Sequence, residues 1–198
     1  MGAVDRLTKA REKRLGLRVF FGQRSASAST SDFSRESLER FVGETCALAQ
    51  AVVEDPVSGL PEPGQFATDF PELNIHDSTK LQTDQQIDLA LRAERAAFAA
   101  DSRITNSEGG ECDSSSGRII LANSHGFVGH YANSSFSLSV SPIASDAAGM
   151  QRDYWYGGNR AFAKLESPEA IGREATRRTV RKLGARKVPT CRVPVIFD

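Results

Sequence analysis

The chain has 198 residues, with 25 Lys plus Arg against 25 Asp plus Glu and 39% hydrophobic residues, so no overall charge draws it to nucleic acid, and its apolar content suffices for one good core or two small ones. No run approaches the roughly 18 consecutive apolar residues of a membrane span; the start, Met1-Gly2-Ala3-Val4-Asp5-Arg6, lacks the apolar stretch of a signal peptide and carries Arg6 where a myristoylation site needs Ser or Thr. Cys46, Cys112 and Cys191 are widely spaced and odd in number, which fits neither a disulfide framework nor a CxxC metal site and reads as reduced thiols of a cytosolic protein.

Residues 3–14 are charged and compatible with helix or strand. Over 15–30 the apolar positions alternate: Leu17, Val19 and Phe21 share one face, and the Ser-Ala alternation of 25–29 continues the same period. That predicts a strand with a bend at Gly22. The first helix is expected over 34–54, with Ser34 as N-cap, Phe33 stapled onto Leu38, and a stripe of Leu38, Phe41, Val42, Thr45, Leu48, Ala49 and Val52. Asp55-Pro56 ends it. A connector over 55–80 follows, punctuated by Pro56, Pro61, Pro63 and Pro71, whose Leu60, Phe66, Phe70 and Leu73 should pack over the surface. The second helix, 83–101, opens with Thr83-Asp84-Gln85-Gln86, read as a capping box, and buries Ile87, Ala90, Leu91, Ala97 and Phe98.

The centre, 103–157, is strand-rich. Its mark is a repeated tetrad, Asn106-Ser107-Glu108-Gly109 and Asn123-Ser124-His125-Gly126. Asn tolerates and Gly readily adopts left-handed backbone angles, so each tetrad reads as a reversal between antiparallel strands at 103–107, 117–123, 127–141 and 149–157. Asp146-Ala147-Ala148-Gly149 is the expected turn before the last. A third helix, 167–184, lies between Ser167-Pro168 and Gly184. Val193-Pro194-Val195-Ile196-Phe197-Asp198 resembles a buried strand, so 192–198 is expected to begin a further segment and the chain to be a fragment of something longer. The fold class that results is α+β: an antiparallel sheet with about three packing helices, in a single domain over 1–198.

Few residues offer chemistry. His125 and His130, five apart, would lie on opposite faces of a strand and so could not share a metal; His76 sits in the connector, and no HExxH motif exists. Glu108, Glu111 and Asp113 read as solvated turn carboxylates rather than an acid–base pair. The serines, including Ser114-Ser115-Ser116, occupy no Gly-x-Ser-x-Gly elbow, and Gly157-Gly158 lacks the Lys-Ser/Thr of a phosphate loop. Tyr154 and Tyr156 would share one strand face and Trp155 the other, a patch that suits core plus partner interface better than base stacking. Arg173, Arg177 and Arg181, with Arg178 and Lys182, form a basic ridge on the third helix, continued by Arg186 and Lys187. Such a ridge suits phosphate, solvent or an acidic partner, and zero net charge disfavours nucleic acid.

In order, Leu15-Gly16-Leu17-Arg18-Val19-Phe20, residues 22–34, Asp101 through Gly110, Asn123 through Phe127, Gln151-Arg152-Asp153-Tyr154 and Arg192 through Phe197 resemble the N-terminal part of the TldD/PmbA family, long called modulators of DNA gyrase. The Arg103-to-Gly109 and Arg152-Asp153-Tyr154 pieces look more like its PmbA (TldE) branch. The resemblance implies a cytoplasmic zinc metallopeptidase complex, typically a heterodimer of TldD-type and PmbA-type subunits, that acts on small unfolded or leader-bearing polypeptides. It places zinc in the TldD-type partner and no catalytic or metal residue in this chain. It also implies a partner of TldD type, or self-association; the aromatic patch and the basic ridge make Tyr154, Trp155, Tyr156, Arg173, Arg177 and Arg181 the candidate partner or substrate contacts. The alternative is a DNA gyrase-associated or nucleic-acid-binding module that uses the basic helix 173–187. A strand ahead of Met1 is also expected from typical members.

Overall fold

The computed structural model describes residues 3–197. Met1 and Gly2 of the lipidation pattern and Asp198 of the 192–198 segment lie outside the described residues. Where one domain over 1–198 is expected, the contacts divide into two units. The first is Val4–Phe70 with Asn123–Phe127; the second is built from Pro71–Ala122 and the residues from Val128 on.

In the first unit, β1 (Leu15–Phe21) and β2 (Arg24–Thr30) pair antiparallel from Leu15↔Thr30 to Phe21↔Arg24. The expected bend at Gly22 is a full reversal: Gly22 takes φ 57°, and the short turn folds the alternating run back on itself. The pairs Leu17↔Ala28 and Val19↔Ala26 place the apolar halves of both strands on one face, and α1 (Arg35–Ala51) packs on both strands. The helix buries Thr45 and Ala49 but leaves Val42 and Leu48 exposed, so the stripe is narrower than its sequence suggests. Ser34 makes no side-chain cap. Asp32 braces the turn ahead of the helix instead: its carboxylate accepts the Ser37 hydroxyl at 2.6 Å and the Ser34 N–H at 2.8 Å, which holds it below the ordinary carboxylate pKa. The connector packs only in part as expected: Phe66 stacks on Phe127 at 5.3 Å, whereas Phe70, 6.0 Å from the same ring, and Leu73 stay exposed. Residues 3–14 carry no regular structure and are exposed.

In the second unit, α2 (Thr83–Ala100) starts one residue earlier in capping terms than read: the reciprocal box joins Gln82 and Gln85 rather than Thr83 and Gln86. The sheet is dominated by one long antiparallel hairpin, β3 (Ile104–Ala122) against β4 (Val128–Asp146). The two Asn-Ser-x-Gly tetrads therefore differ in role. The second is the hairpin turn, where the Asn123 side chain accepts the N–H groups of His125 and Phe127 and Gly126 has φ 87°. The first is no reversal; it lies inside β3 as a bulge, with register shifts between Asn106 and Gly110 and Gly109 at φ 110°. Positive-φ residues serve bulges as readily as turns, and sequence alone does not separate the two.

The expected strand over 149–157 is two, β5 (Gly149–Arg152) and β6 (Trp155–Asn159), both paired with β4. Asp146 makes the turn into β5, its carboxylate accepting from Ala148 and Gly149. Pro142, buried in the middle of β4, has no N–H to give a ladder. It sits beside the bulge on β3 and between the stretches that pair with β6 and β5, so the break at Asp153–Tyr154 falls where a donor is missing.

Alternate residues of β4, namely Ser134, Phe136, Leu138, Val140, Pro142 and Ala144, are buried, while Ser135, Ser137, Ser139 and Ser141 turn to the other face. The buried row meets α2 and α3 (Pro168–Val180), where Ala93, Ala97, Leu138, Val140, Ile171 and Ala175 form a fully closed core. Small residues let the helices approach: a Cβ on Gly172 would lie 2.4 Å from the Ala93 carbonyl oxygen. Ser167 caps α3 by accepting the Ala170 N–H, and Pro168 opens its first turn. The helix ends four residues short of the expected 184. The apolar 192–197 run is not a buried strand: residues 185–197 join no hydrogen-bonded pairing among the described residues, and Ile196 and Phe197 are exposed. Apolar composition supplied the motive for burial there, but no neighbouring edge receives it.

Candidate partner-binding surfaces

The candidate residues sit on one helix and one edge strand of the second unit. Trp155 begins β6 and points to the core side, packed against the closed cluster with its indole N–H donating to Glu166 at 3.3 Å. Tyr154 and Tyr156 point to the opposite face, exposed, with rings stacked 6.3 Å apart. The expected division of the three aromatics therefore holds in geometry: one side chain in the core, two on the surface.

The basic ridge does not hold together as one surface. Arg178 and Lys182 turn inward onto Asp153, whose side chain is only 9% exposed; Lys182 Nζ lies 2.9 Å and Arg178 Nε 3.9 Å from its carboxylate. Burial pushes the Asp153 carboxyl up, but the Lys182 ammonium, the Tyr154 N–H and the Arg178 charge outweigh it, and the pKa falls below the ordinary carboxylate value. Arg178 also lies over the Trp155 ring at 5.1 Å. These two cations anchor α3 to the β5–β6 junction and are not available as a docking face. Charge spacing along a helix could not reveal this, because their partner lies on another element. The signal in the sequence was Asp153 itself, an acid beside a run of aromatics.

Arg173, Arg177 and Arg181 remain on the outer face, four residues apart and exposed. Arg177 is gripped at both ends of its fork by Glu174, at 2.7 Å each, which holds that carboxyl below its ordinary pKa. The three arginines, with Ala100, Asp101, Thr176 and Val180, line a groove of about 430 Å³. Asp101 on its rim is engaged elsewhere: the Arg103 guanidinium and backbone N–H bind its carboxylate and bring its pKa down to about 2. Beside the groove, Arg92 of α2 forks onto Glu169 of α3 at 2.8 and 3.0 Å and ties the two helices together.

A buried polar node escaped the sequence reading. Ser134, fully buried in β4, accepts the Asp77 N–H and donates to the Arg160 carbonyl, while the Asp77 carboxylate accepts the Phe162 N–H. It fixes the end of the connector to the end of β6. A serine among the serines of β4 gave no sign of it; only its place in the buried half of the alternation does.

The remaining candidates are dispersed. His125 lies in the hairpin turn of the first unit, edge-on to Phe66 at 5.9 Å, rather than in a strand, and His130 is exposed on β4. Glu108, Glu111 and Asp113 lie in β3 rather than in a turn, with Glu108 paired to Arg152. Burial pushes the Cys112 thiol up to about 11, so it stays protonated and unreactive. Among the described residues no group of three or more His, Cys, Asp or Glu is arranged to hold a metal ion.

A two-unit α+β chain of this topology has clear counterparts. Residues 1–49 match the model of PmbA/TldA metallopeptidase domain 1, and residues 76–183 match that of the PmbA/TldA metallopeptidase central domain. The chain belongs to the PmbA/TldD family. It is 37% identical over 99% of its length to Metalloprotease PmbA of Escherichia coli O157:H7, and 37% identical over 92% to a PmbA homologue of Haemophilus influenzae. It covers 44% and 41% of those proteins, so it spans less than half of either relative. A solved structure from Bacteroides thetaiotaomicron, provisionally named a modulator of DNA gyrase, superposes with TM-score 0.84 at 27% identity over 92% of this chain and 42% of its own. The structure named TldE from Thermococcus kodakarensis shares the fold, with TM-score 0.61 at 16% identity over 81% of this chain and 36% of its own. Among the described residues no helix is long and apolar enough to cross a membrane.

Proposed function

We propose that this chain supplies the first and central domains of a PmbA (TldE)-type subunit, which assists a cytoplasmic zinc metallopeptidase complex in cleaving small unfolded or leader-bearing polypeptides. The observation that carries the reading is the pair of domain matches, in order, within a chain 37% identical over nearly its whole length to a protein named Metalloprotease PmbA. In this reading zinc belongs to a TldD-type partner, and this chain contributes surface rather than chemistry. The exposed Tyr154 and Tyr156 beside the inward Trp155, and the outer arginines 173, 177 and 181, are its candidate contacts.

The test is co-expression of the intact protein with a TldD-type subunit. Co-elution and zinc-dependent cleavage of an unfolded peptide that neither subunit performs alone are expected. Undiminished cleavage by the TldD-type subunit without this protein would remove the reading. A gyrase-associated or nucleic-acid-binding role rests on the name of the Bacteroides structure and on the basic segment 173–187, only the first part of which is helix. Arg178 and Lys182 of that segment are committed to Asp153, and Arg177 forks onto Glu174. A DNA mobility shift with a steep salt dependence would restore it.

A further inference from the structure

The sheet of the second unit has two faces, and α2 and α3 pack on only one of them. Directly opposed residues of paired strands share a face. The register therefore sets Glu111 of β3, Ser139 of β4 and Tyr156 of β6 in one row of the face turned away from the core, and Asp113, Ser137 and Gly158 in the next. The two rows make a trough. Serines form its floor and carboxylates its β3 side; on the β6 side stand the stacked, exposed rings of Tyr154 and Tyr156, and the wall drops at Gly158. Towards β5 an arginine of this chain already crosses the same face: Arg152, opposite Ile143 of β4, reaches over to pair with Glu108 of β3. Glu111 and Asp113 have no such cation. Both are exposed, and neither makes an ion pair or hydrogen bond with another described residue. On the core side of the same segment the chain shows what fits between a ring and a carboxylate: Arg178 lies over the Trp155 ring at 5.1 Å, with its Nε 3.9 Å from the Asp153 carboxylate.

We propose that this face binds an extended, arginine-bearing segment of a partner polypeptide, with one guanidinium between the Tyr156 ring and the Glu111 carboxylate and a second, two positions along, on Asp113 over Ser137. The spacings fit that occupant. Neighbouring strands stand about 4.8 Å apart, so the β3 and β6 backbones are about 10 Å apart, with only serine between them. Glu111 and Asp113 are about 7 Å apart along β3, the repeat of alternate side chains in an extended chain. Arginine suits the place better than lysine because its plane stacks on a ring while its fork takes a carboxylate through two hydrogen bonds. A nucleic-acid strand fits poorly, since its phosphates would face the two carboxylates. The inference goes beyond the peptidase reading, which offers the tyrosines as contacts without saying what meets them, and it concerns binding rather than cleavage.

The experiment is an anisotropy titration of the intact protein with capped, dye-labelled Gly-Arg-Ser-Arg-Gly. The controls are the same peptide with lysine, glutamine or glutamate in place of both arginines, and a short single-stranded oligonucleotide. Saturable binding of the arginine peptide is expected, several-fold tighter than that of the lysine peptide, with none by the other controls, and progressively weaker in added salt. Glu111→Gln/Asp113→Asn should weaken it about tenfold or more and Tyr156→Leu about threefold, while Tyr156→Phe, which keeps the ring, should retain it. The altered side chains are exposed, so the melting temperature should not move; Glu111→Gln alone serves if the double variant misfolds. No saturable binding of the arginine peptide, equally tight binding of the lysine peptide, unchanged affinity in the carboxylate variants, or tighter binding of the glutamate peptide or the oligonucleotide would each overturn the proposal.

Discussion

In the second unit Phe136, Leu138, Val140 and Ile171 are closed off from solvent between a sheet and two helices. In the first unit the most buried side chains are Thr45, Ala49 and Ala26, under a single helix on two strands. Both are α+β units of alternating strands and amphipathic helix, yet apolar burial stabilises in proportion to area, and a buried Leu or Phe contributes about 1.5–3 kcal/mol where an Ala contributes far less. The difference teaches that one pattern of hydrophobic periodicity can specify units of unequal strength. The first unit should open at a lower free energy, and native-state hydrogen exchange should show its amides less protected than those of β4 and α3.

Substitutions can break or sharpen that contrast. Leu138→Ala should have the largest effect, about 2–5 kcal/mol, because it empties the centre of the second unit's core; denaturant unfolding with exchange read unit by unit is the measurement. Loss of protection in the first unit to the same extent would mean that the two units unfold as one. Gly172→Val should follow at about 1–3 kcal/mol or somewhat more, since its Cβ would meet the Ala93 carbonyl oxygen and the added methyls would force α2 and α3 apart. In the first unit Thr45→Ala removes a hydroxyl that donates to the Phe41 carbonyl at 2.7 Å and one methyl, for about 1 kcal/mol. A cost equal to that of Leu138→Ala would refute the unequal-core account.

The same contrast explains what could be read in advance. Helices were legible because their apolar positions recur at three and four: α1 and α3 begin where Ser34 and Ser167-Pro168 place them, although the Ser34 side chain makes no cap. The strand alternation of 15–30 was legible, but not its reversal at Gly22, because period two continues across a turn that returns in register. The twin tetrads were misread at Asn106 because a bulge and a turn demand the same backbone freedom, and the choice depends on whether β4 runs on past it. The candidate surface was half legible. Helical spacing found the cations of α3 and of the turn that follows it, but which face the groove and which clasp Asp153 is decided by another strand. For the same reason the apolar 192–197 run could not be placed from its own composition.

The smallest effect tests that clasp. Asp153 holds a pKa below its ordinary 3.8, so its charged form stabilises the folded second unit. The sign follows from linkage: with the folded value lower than the unfolded one, the contribution is complete above the ordinary carboxylate range and is lost as pH falls through the folded value. Asp153→Asn should therefore lower the stability of the second unit at neutral pH while flattening its decline in acid, so that the two melting profiles converge as pH falls below about 4. The first unit contains no part of this cluster, and its exchange rates should be indifferent to the change. Lys182→Met removes the nearest cation and should raise the Asp153 pKa toward its ordinary value, so that the acid decline of the second unit becomes smaller. If Asp153→Asn left the acid limb as steep as before, the clasp would be a contact without electrostatic weight, and the inward turn of Arg178 would have to be credited to its packing over Trp155 instead.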